Sequence, residues 1–359
     1  MKPIQIDKTT VETHGTQGSV AFGIKASGLH HILGILRNQL YSDKILAVVR
    51  EYSCNAIDAH TQAGCADRAI QVTLPNTMNP NFKVRDFGDA LTDTEISEVY
   101  AFYGESTKRN SNDQIGMLGI GSKSAFAYGD NFVIHSFIDG KKHIYNAYID
   151  PSQLGQITKL GVEDTDEENG IEIVVPVKKD DHGEFANRAG QLFRWFKVEP
   201  KVTGSQIDLG GERTVIFSGD GWEWVEVKDA PTYGYGSHSG EATVVMGNIG
   251  YPINSASLNL NNDDSDLDTL LCRELVIHAN IGDVEISASR EKLQYTDYTK
   301  KNIKKKLKVA LNEIMKRKTR RLSHTDTAIQ VASGQRLVVW LKSSVDVRCE
   351  RPELAPVVG

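Results

Sequence analysis

Apolar and polar positions along this chain switch between two periods. From Leu29, apolar residues recur at Ile32, Leu33, Leu36 and Leu40, one face of a helix. A second helical run follows Ser42-Asp43, residues suited to an N-cap, and turns Ile45, Val48, Val49, Tyr52 and Ile57 inward. The period drops to two over Ala69–Leu74, with Phe82–Asp86 as a neighbouring strand. Thr92-Asp93-Thr94-Glu95 has capping-box spacing and predicts a helix over Glu95–Phe102. A polar, glycine-bearing loop then runs to Lys123, before a short helix to Tyr128 and the strand Phe132–Ile138. Asp139-Gly140 turns that strand into Ile144–Ile149, a hairpin signal. Acids crowd Glu163–Glu168 ahead of a strand over Ile171–Val177.

After Pro176 the pattern resets. A helix is expected over Glu184–Phe196, then strands at Thr214–Phe217, Trp222–Val227, Thr243–Met246 and Glu274–His278. A long helix from Thr296 to about Leu322 and a polar tail end the chain. The mixed order predicts an α+β protein with a weakly patterned arm (1–27), a first domain (28–180), a second domain (181–322) and a tail (323–359), the domain boundary lying near Val177–His182.

At 359 residues, 40% hydrophobic and 25% charged, the composition is that of ordinary globular domains. No run of ~20 apolar residues exists to span a bilayer, and residues 1–16 lack the apolar core of a signal peptide. Four cysteines without a Cys-x-x-Cys pair read as reduced thiols in a cytoplasmic setting. The net charge of −6 is unevenly spread: Lys300–Arg321 holds eleven basic residues and one acid, leaving −16 elsewhere. Ile303, Leu307, Ala310, Leu311 and Ile314 keep one face of that helix apolar, so it suits either a docked helix with a solvated cationic side or contact with DNA or an anionic membrane. Asp263–Asp268 reads as a solvated acidic loop, and the histidines lack ligand spacing.

Three segments carry candidate chemistry. Glu51, Asn55 and Asp58 fall at about 0°, 40° and −20° on a helical wheel, one stripe bordered by Ala56 and Ala59. A carboxylate there can take a proton from water, and an Asn oxygen suits Mg²⁺; a plain polar stripe fits the same triplet. Val84-Arg85-Asp86-Phe87-Gly88 is a strand ending in an acid and a glycine, able to accept a hydrogen bond from a base's exocyclic amine or to serve as a simple turn. Gly116-Met117-Leu118-Gly119-Ile120-Gly121-Ser122-Lys123-Ser124 precedes a helix start, where backbone N–H groups can face a phosphate. It is not a P-loop, because Ser122 stands where Lys is required. Asp86-Phe87-Gly88 is not a kinase triplet either, since the glycine loop follows it.

Glu-x3-Asn-x2-Asp-Ala, then Asp-x-Gly, then Gly-x2-Gly-x-Gly at roughly thirty-residue steps resembles the gyrase, heat-shock chaperone, histidine kinase and mismatch-repair (GHKL) ATPases. Closer still is the resemblance to the phage rIIA lysis-inhibition family, spanning about Gly34 to Lys300. It rests on Arg50–His60, Ser106-Thr107-Lys108-Arg109, Asp113–Gly116, Gly119–Ser124 and Met246–Pro252. The resemblance implies a GHKL-type α/β-sandwich ATP-binding domain followed by a smaller transducer-like domain. It implies ATP and Mg²⁺ as cofactors, with Glu51 as the water-activating base and Asn55 as the metal ligand. Asp58 would lie in the nucleotide pocket, Asp86 on the adenine amine and Gly88 in the base pocket. Gly116, Gly119, Gly121, Ser122 and Lys123 would surround the phosphates, and Ser106, Thr107 and Lys108 would belong to a lid. Ala90 departs from the family, which usually has a second glycine there.

Ile286–Gln294 is similar to the catalytic loop in the middle domain of the chaperone members, which implies that Arg290 reaches the terminal phosphate with Gln294 nearby. The implied protein is a slow Mg²⁺-dependent ATPase acting as a conformational switch on a host or phage partner, in the cytoplasm of an infected cell or peripheral to its membrane. A homodimer formed through the N-terminal arm is the expected assembly. The competing expectation is an effector that holds ATP without splitting it and contacts DNA, membrane or a host protein through the basic helix.

Overall fold

The computed structural model describes residues 34, 35, 37–101, 121–228, 242–260 and 264–324. The expected arm, the expected lid and the tail beyond 324 lie outside the described residues. The chain divides into two compact units: Met1–Gly210 with Gly247–Ile249 and Ile286–Glu291, and Gly211–Met246 with Gly250–Glu285 and Lys292–Gly359. The class is mixed α+β, with one seven-stranded and one five-stranded sheet.

In the first unit, helix α1 (Lys44–Gln62) is capped by Asp43, whose Oδ1 accepts from Leu46 N at 2.9 Å. That bond satisfies one of the N–H donors a helix start leaves open. Strands β1 (Gln71–Thr73) and β2 (Asn81–Arg85) follow, then α2 (Asp93–Ala101). The capping box at α2 forms as the spacing predicts: Glu95 Oε2 accepts from Thr92 N at 2.8 Å and from its hydroxyl at 2.7 Å. A 3₁₀ turn (Gly121–Lys123), α3 (Ala125–Tyr128), β3 (Asn131–Ile138), β4 (Lys141–Ile149), β5 (Gly155–Asp164) and β6 (Gly170–Pro176) come next. Asp139 and Gly140 both take positive φ, 51° and 72°, as a two-residue hairpin turn requires.

The sheet order is β5-β4-β3-β6-β2-β1-β7, all antiparallel except β1 with β7 (Lys201–Thr203). Helix α4 (His182–Phe193) packs beside α1, and its Phe185 ring lies 5.2 Å from the Phe82 ring of β2. The unit therefore continues past the boundary expected at Val177–His182. The Pro176 reset marks only a change from strand to helix, because the parallel pairing of β7 with β1 needs α4 as its connection.

In the second unit, β8 (Glu212–Gly219), β9 (Trp222–Lys228), β10 (Thr243–Met246), β11 (Ile249–Pro252) and β12 (Leu275–Ala279) form a sheet in the order β11-β10-β12-β9-β8. Between β11 and β12 lie α5 (Ser255–Leu258) and α6 (Ser265–Leu271). The acidic stretch read as a loop is thus largely helical: Leu267, Leu270 and Leu271 are buried, and Asp266 and Asp268 sit in the first turn, where the helix dipole favours acids. The long basic helix α7 (Asp297–His324) buries Ile303, Leu307, Ala310 and Ile314, the apolar face expected of it, while Leu311 is only half-buried. Glu313 on α7 accepts from Trp222 Nε1 at 3.0 Å. Among the described residues no helix is long and apolar enough to cross a membrane.

Candidate nucleotide site

The candidate residues that are described cluster along α1 in the first unit, with Gln294 the exception. Eleven residues of α1 are buried, among them the polar Arg50, Glu51, Ser53, Asp58 and His60. A helix buried nearly all round needs partners for such groups. Glu51, 3% exposed, has two: Oε1 receives Arg50 Nε at 3.1 Å and Oε2 receives Arg290 Nη1 at 2.8 Å. Arg50 also donates through Nη2 to the carbonyl of Ser289 at 2.6 Å. Gly121, at the end of the glycine loop, lies so close that a Cβ there would collide with Glu51 Oε2.

Arg290 is brought to this point by a latch. The Glu291 carboxylate accepts from the amides of Ser42 and Asp43, at 3.2 and 2.9 Å, and from the Ser42 and Ser289 hydroxyls, at 2.8 and 3.0 Å. These bonds, weighed against partial burial, leave the Glu291 pKa below the ordinary glutamate value. They fix Ser287–Glu291 at the N-terminus of α1 and leave Arg290 at φ 59°, a left-handed conformation costing an arginine on the order of 1 kcal/mol.

Two turns along α1, Ala59 meets the Asp86–Gly88 turn at the end of β2. A Cβ on Gly88 would stand 3.1 Å from both the Cβ and the carbonyl oxygen of Ala59. Asp86 is 6% exposed, and its Oδ1 accepts from Gly88 N at 3.0 Å and Ile171 N at 3.2 Å. Among the described residues Oδ2 receives no hydrogen bond. Burial raises the Asp86 pKa above the ordinary aspartate value, partly offset by those two amides. Gly170, at φ 138°, lets β6 approach, since a Cβ there would run into the Asp86 carbonyl. His60 holds the turn from α1: its Nε2 accepts from Phe87 N at 2.8 Å, while Nδ1 lies 3.0 Å from the Arg68 carbonyl. The 2.8 Å bond from a backbone donor sets the tautomer, with the proton on Nδ1.

Lys123 is buried, and desolvation lowers its pKa from 10.5 to about 8. Its ammonium donates to Ser122 Oγ at 3.2 Å, and the Ser122 carbonyl accepts from Tyr52 OH at 3.1 Å. Asn55 is half-buried on α1 between Glu51 and the buried Asp58. Ala90, where a glycine was expected, adopts φ 63°, so the left-handed turn is kept without the residue that suits it. Ser106, Thr107, Lys108, Gly116 and Gly119 lie outside the described residues. Gln294 falls in the second unit, exposed, with its amide on the carbonyl of Glu285 at 2.8 Å.

Sequence reasoning missed Arg50, Glu291, Gly170 and His60 as parts of the site. Arg50 was findable, because Ala47 and Cys54, at i−3 and i+4, place it on an apolar face where a charge needs a partner. Glu291 and Gly170 act across sequence separations of 248 and 84 residues, beyond any local pattern.

No known protein-family profile matches the chain, and a search of the curated proteins finds no match.

Proposed function

We propose that the first unit is a GHKL-type ATP-binding fold in which bound ATP is slowly hydrolysed, the chain acting as a nucleotide-timed switch of the rIIA kind in the cytoplasm. One observation carries the reading: Asp86 is a buried carboxylate with one oxygen saturated by two amides and the other open, beside the same helix that sets Glu51 against Gly121. The open oxygen suits the exocyclic amine of adenine. That oxygen, unlike its neighbour, is left to solvent or to a ligand donor.

Glu51 lies eight residues, about 12 Å of helix rise, N-terminal to Ala59, which meets the Asp86–Gly88 turn, so base and triphosphate would lie along α1 with the phosphates toward Gly121 and Lys123. Among the described residues no three His, Cys, Asp or Glu side chains group as a metal site. Asn55, half-buried on α1 between Glu51 and Asp58, would supply a protein oxygen to a magnesium ion carried on the nucleotide. Such an ion neutralises phosphate charge. The protein's own part is to orient an attacking water and take its proton at Glu51.

Glu51 cannot do so while both of its oxygens are held by guanidinium groups, which leave neither free to accept from a water. The terminal phosphate of ATP offers Arg290 a more highly charged partner than Glu51. Transfer of Nη1 from Glu51 to that phosphate would free the base only when a triphosphate is present. The same pairing favours slow turnover. Phosphate release tests the reading: Glu51→Gln should bind ATP as the wild type does and release no phosphate, whereas a fully active variant would remove Glu51 from the chemistry.

A further inference from the structure

Helix α7 borders an open groove in the second unit, of about 720 Å³, whose lining includes Leu258, Asn259, Lys300, Lys304, Lys305 and Lys308. The helix is held by its apolar face, so the cationic face is fixed toward the groove and cannot turn away. Lys300, Lys304 and Lys308 repeat every four residues, a step of about 6 Å along the axis, with Lys301 and Lys305 beside them. Lys304 reaches the opposite wall, donating to the Asn259 carbonyl at 2.9 Å; Asp264 lies 3.2 Å from Lys308 and 4.0 Å from Lys304, and Asp297 also lines the groove. Among the described residues no carboxylate lies within ion-pair distance of Lys300, Lys301 or Lys305. Lys306, on another side of the helix, is by contrast paired with Asp283 at 3.1 Å.

We infer that this groove binds the phosphodiester backbone of a single-stranded nucleic acid, independently of the nucleotide reading of the first unit. The four-residue lysine step is comparable to the separation of adjacent phosphates along a strand. Five ammonium groups within three turns attract a polyanion. Lysine is a point-charge donor without planar base readout, so binding is independent of sequence. The depth of the lysines separates a strand from a bilayer: a flat lipid surface would meet the exposed Lys301, Lys305 and Lys308 while leaving the half-buried Lys300 and Lys304 behind.

Fluorescence anisotropy of a labelled oligothymidylate with the full chain tests this. Binding should weaken with salt at a log–log slope of roughly −3, as four or five single-strand phosphate contacts require. Lys301→Glu with Lys305→Glu, both exposed and away from the buried face, should lose at least tenfold in affinity with an unchanged circular dichroism spectrum and melting temperature. Three results would overturn the inference: no binding at low salt, equal binding by the double variant, or displacement by polyglutamate as effective as by unlabelled strand. Retention on phosphatidylserine vesicles without oligonucleotide binding would assign the groove to membrane and overturn it too.

Discussion

Arg290 Nη1 lies 2.8 Å from Glu51 Oε2, joining residues 239 positions apart in the chain. Because Arg50 holds the other oxygen, loss of Arg290 leaves Glu51 still paired, and the fold should survive. Arg290→Ala should slow phosphate release by about two orders of magnitude, the usual effect of removing one transition-state charge partner. ADP, which lacks the terminal phosphate, should bind the variant unchanged by calorimetry. Equal loss of ADP and ATP affinity would make Arg290 a structural brace instead.

Gly121→Ala should cost about 1–3 kcal/mol and abolish turnover, since the new methyl group overlaps Glu51 Oε2 and must displace a buried ion pair. Chemical denaturation and phosphate release check the two parts separately.

Ala90→Gly should stabilise the protein by about 1 kcal/mol, because φ 63° strains a residue with a Cβ more than it does glycine. A lower denaturation midpoint in the glycine variant would show that the Ala90 methyl group contributes more through contacts than it costs in strain.

Lys123 gives a pH dependence of definite sign. Its folded pKa of about 8 lies below the ordinary 10.5, so from pH 8 to 10.5 the unfolded chain holds a proton that the folded chain has released. Stability should therefore rise with pH across that window, and Lys123→Met should be more stable at pH 7 and lack the rise. ATP affinity should move the other way, falling above pH 8 as the cation is lost, by up to roughly tenfold per pH unit. Denaturation and binding titrations from pH 7 to about 10 measure both.

The elements with a clean period were legible. The capping box at Thr92, the Asp139-Gly140 hairpin and the buried stripe of α7 each follow from local chemistry, and each forms within one residue pair or helix face. Strand β5 was missed because most of its residues are exposed and its acidic end resembles a loop. Strand β7 was missed because three residues carry no period, and its place comes from pairing with β1. The domain boundary was set too early for the same reason. At the candidate site, the stripe Glu51-Asn55-Asp58 could be read from helical geometry alone. The second arginine on Glu51, the Glu291 latch and the glycine that admits β6 to Asp86 depend on the sheet and on distant segments, which spacing along the chain does not encode.

The most direct measurement is a calorimetric titration of ATP with Mg²⁺ into the wild type and Asp86→Asn. The amide oxygen of the variant can keep the bonds from Gly88 and Ile171, so its NH₂ would face the adenine amine, donor against donor. Wild type should bind saturably. The variant should bind about a hundredfold more weakly, near the 3 kcal/mol expected for losing a charged acceptor, with an unchanged melting temperature. Equal affinities, or no binding by the wild type, would contradict the account.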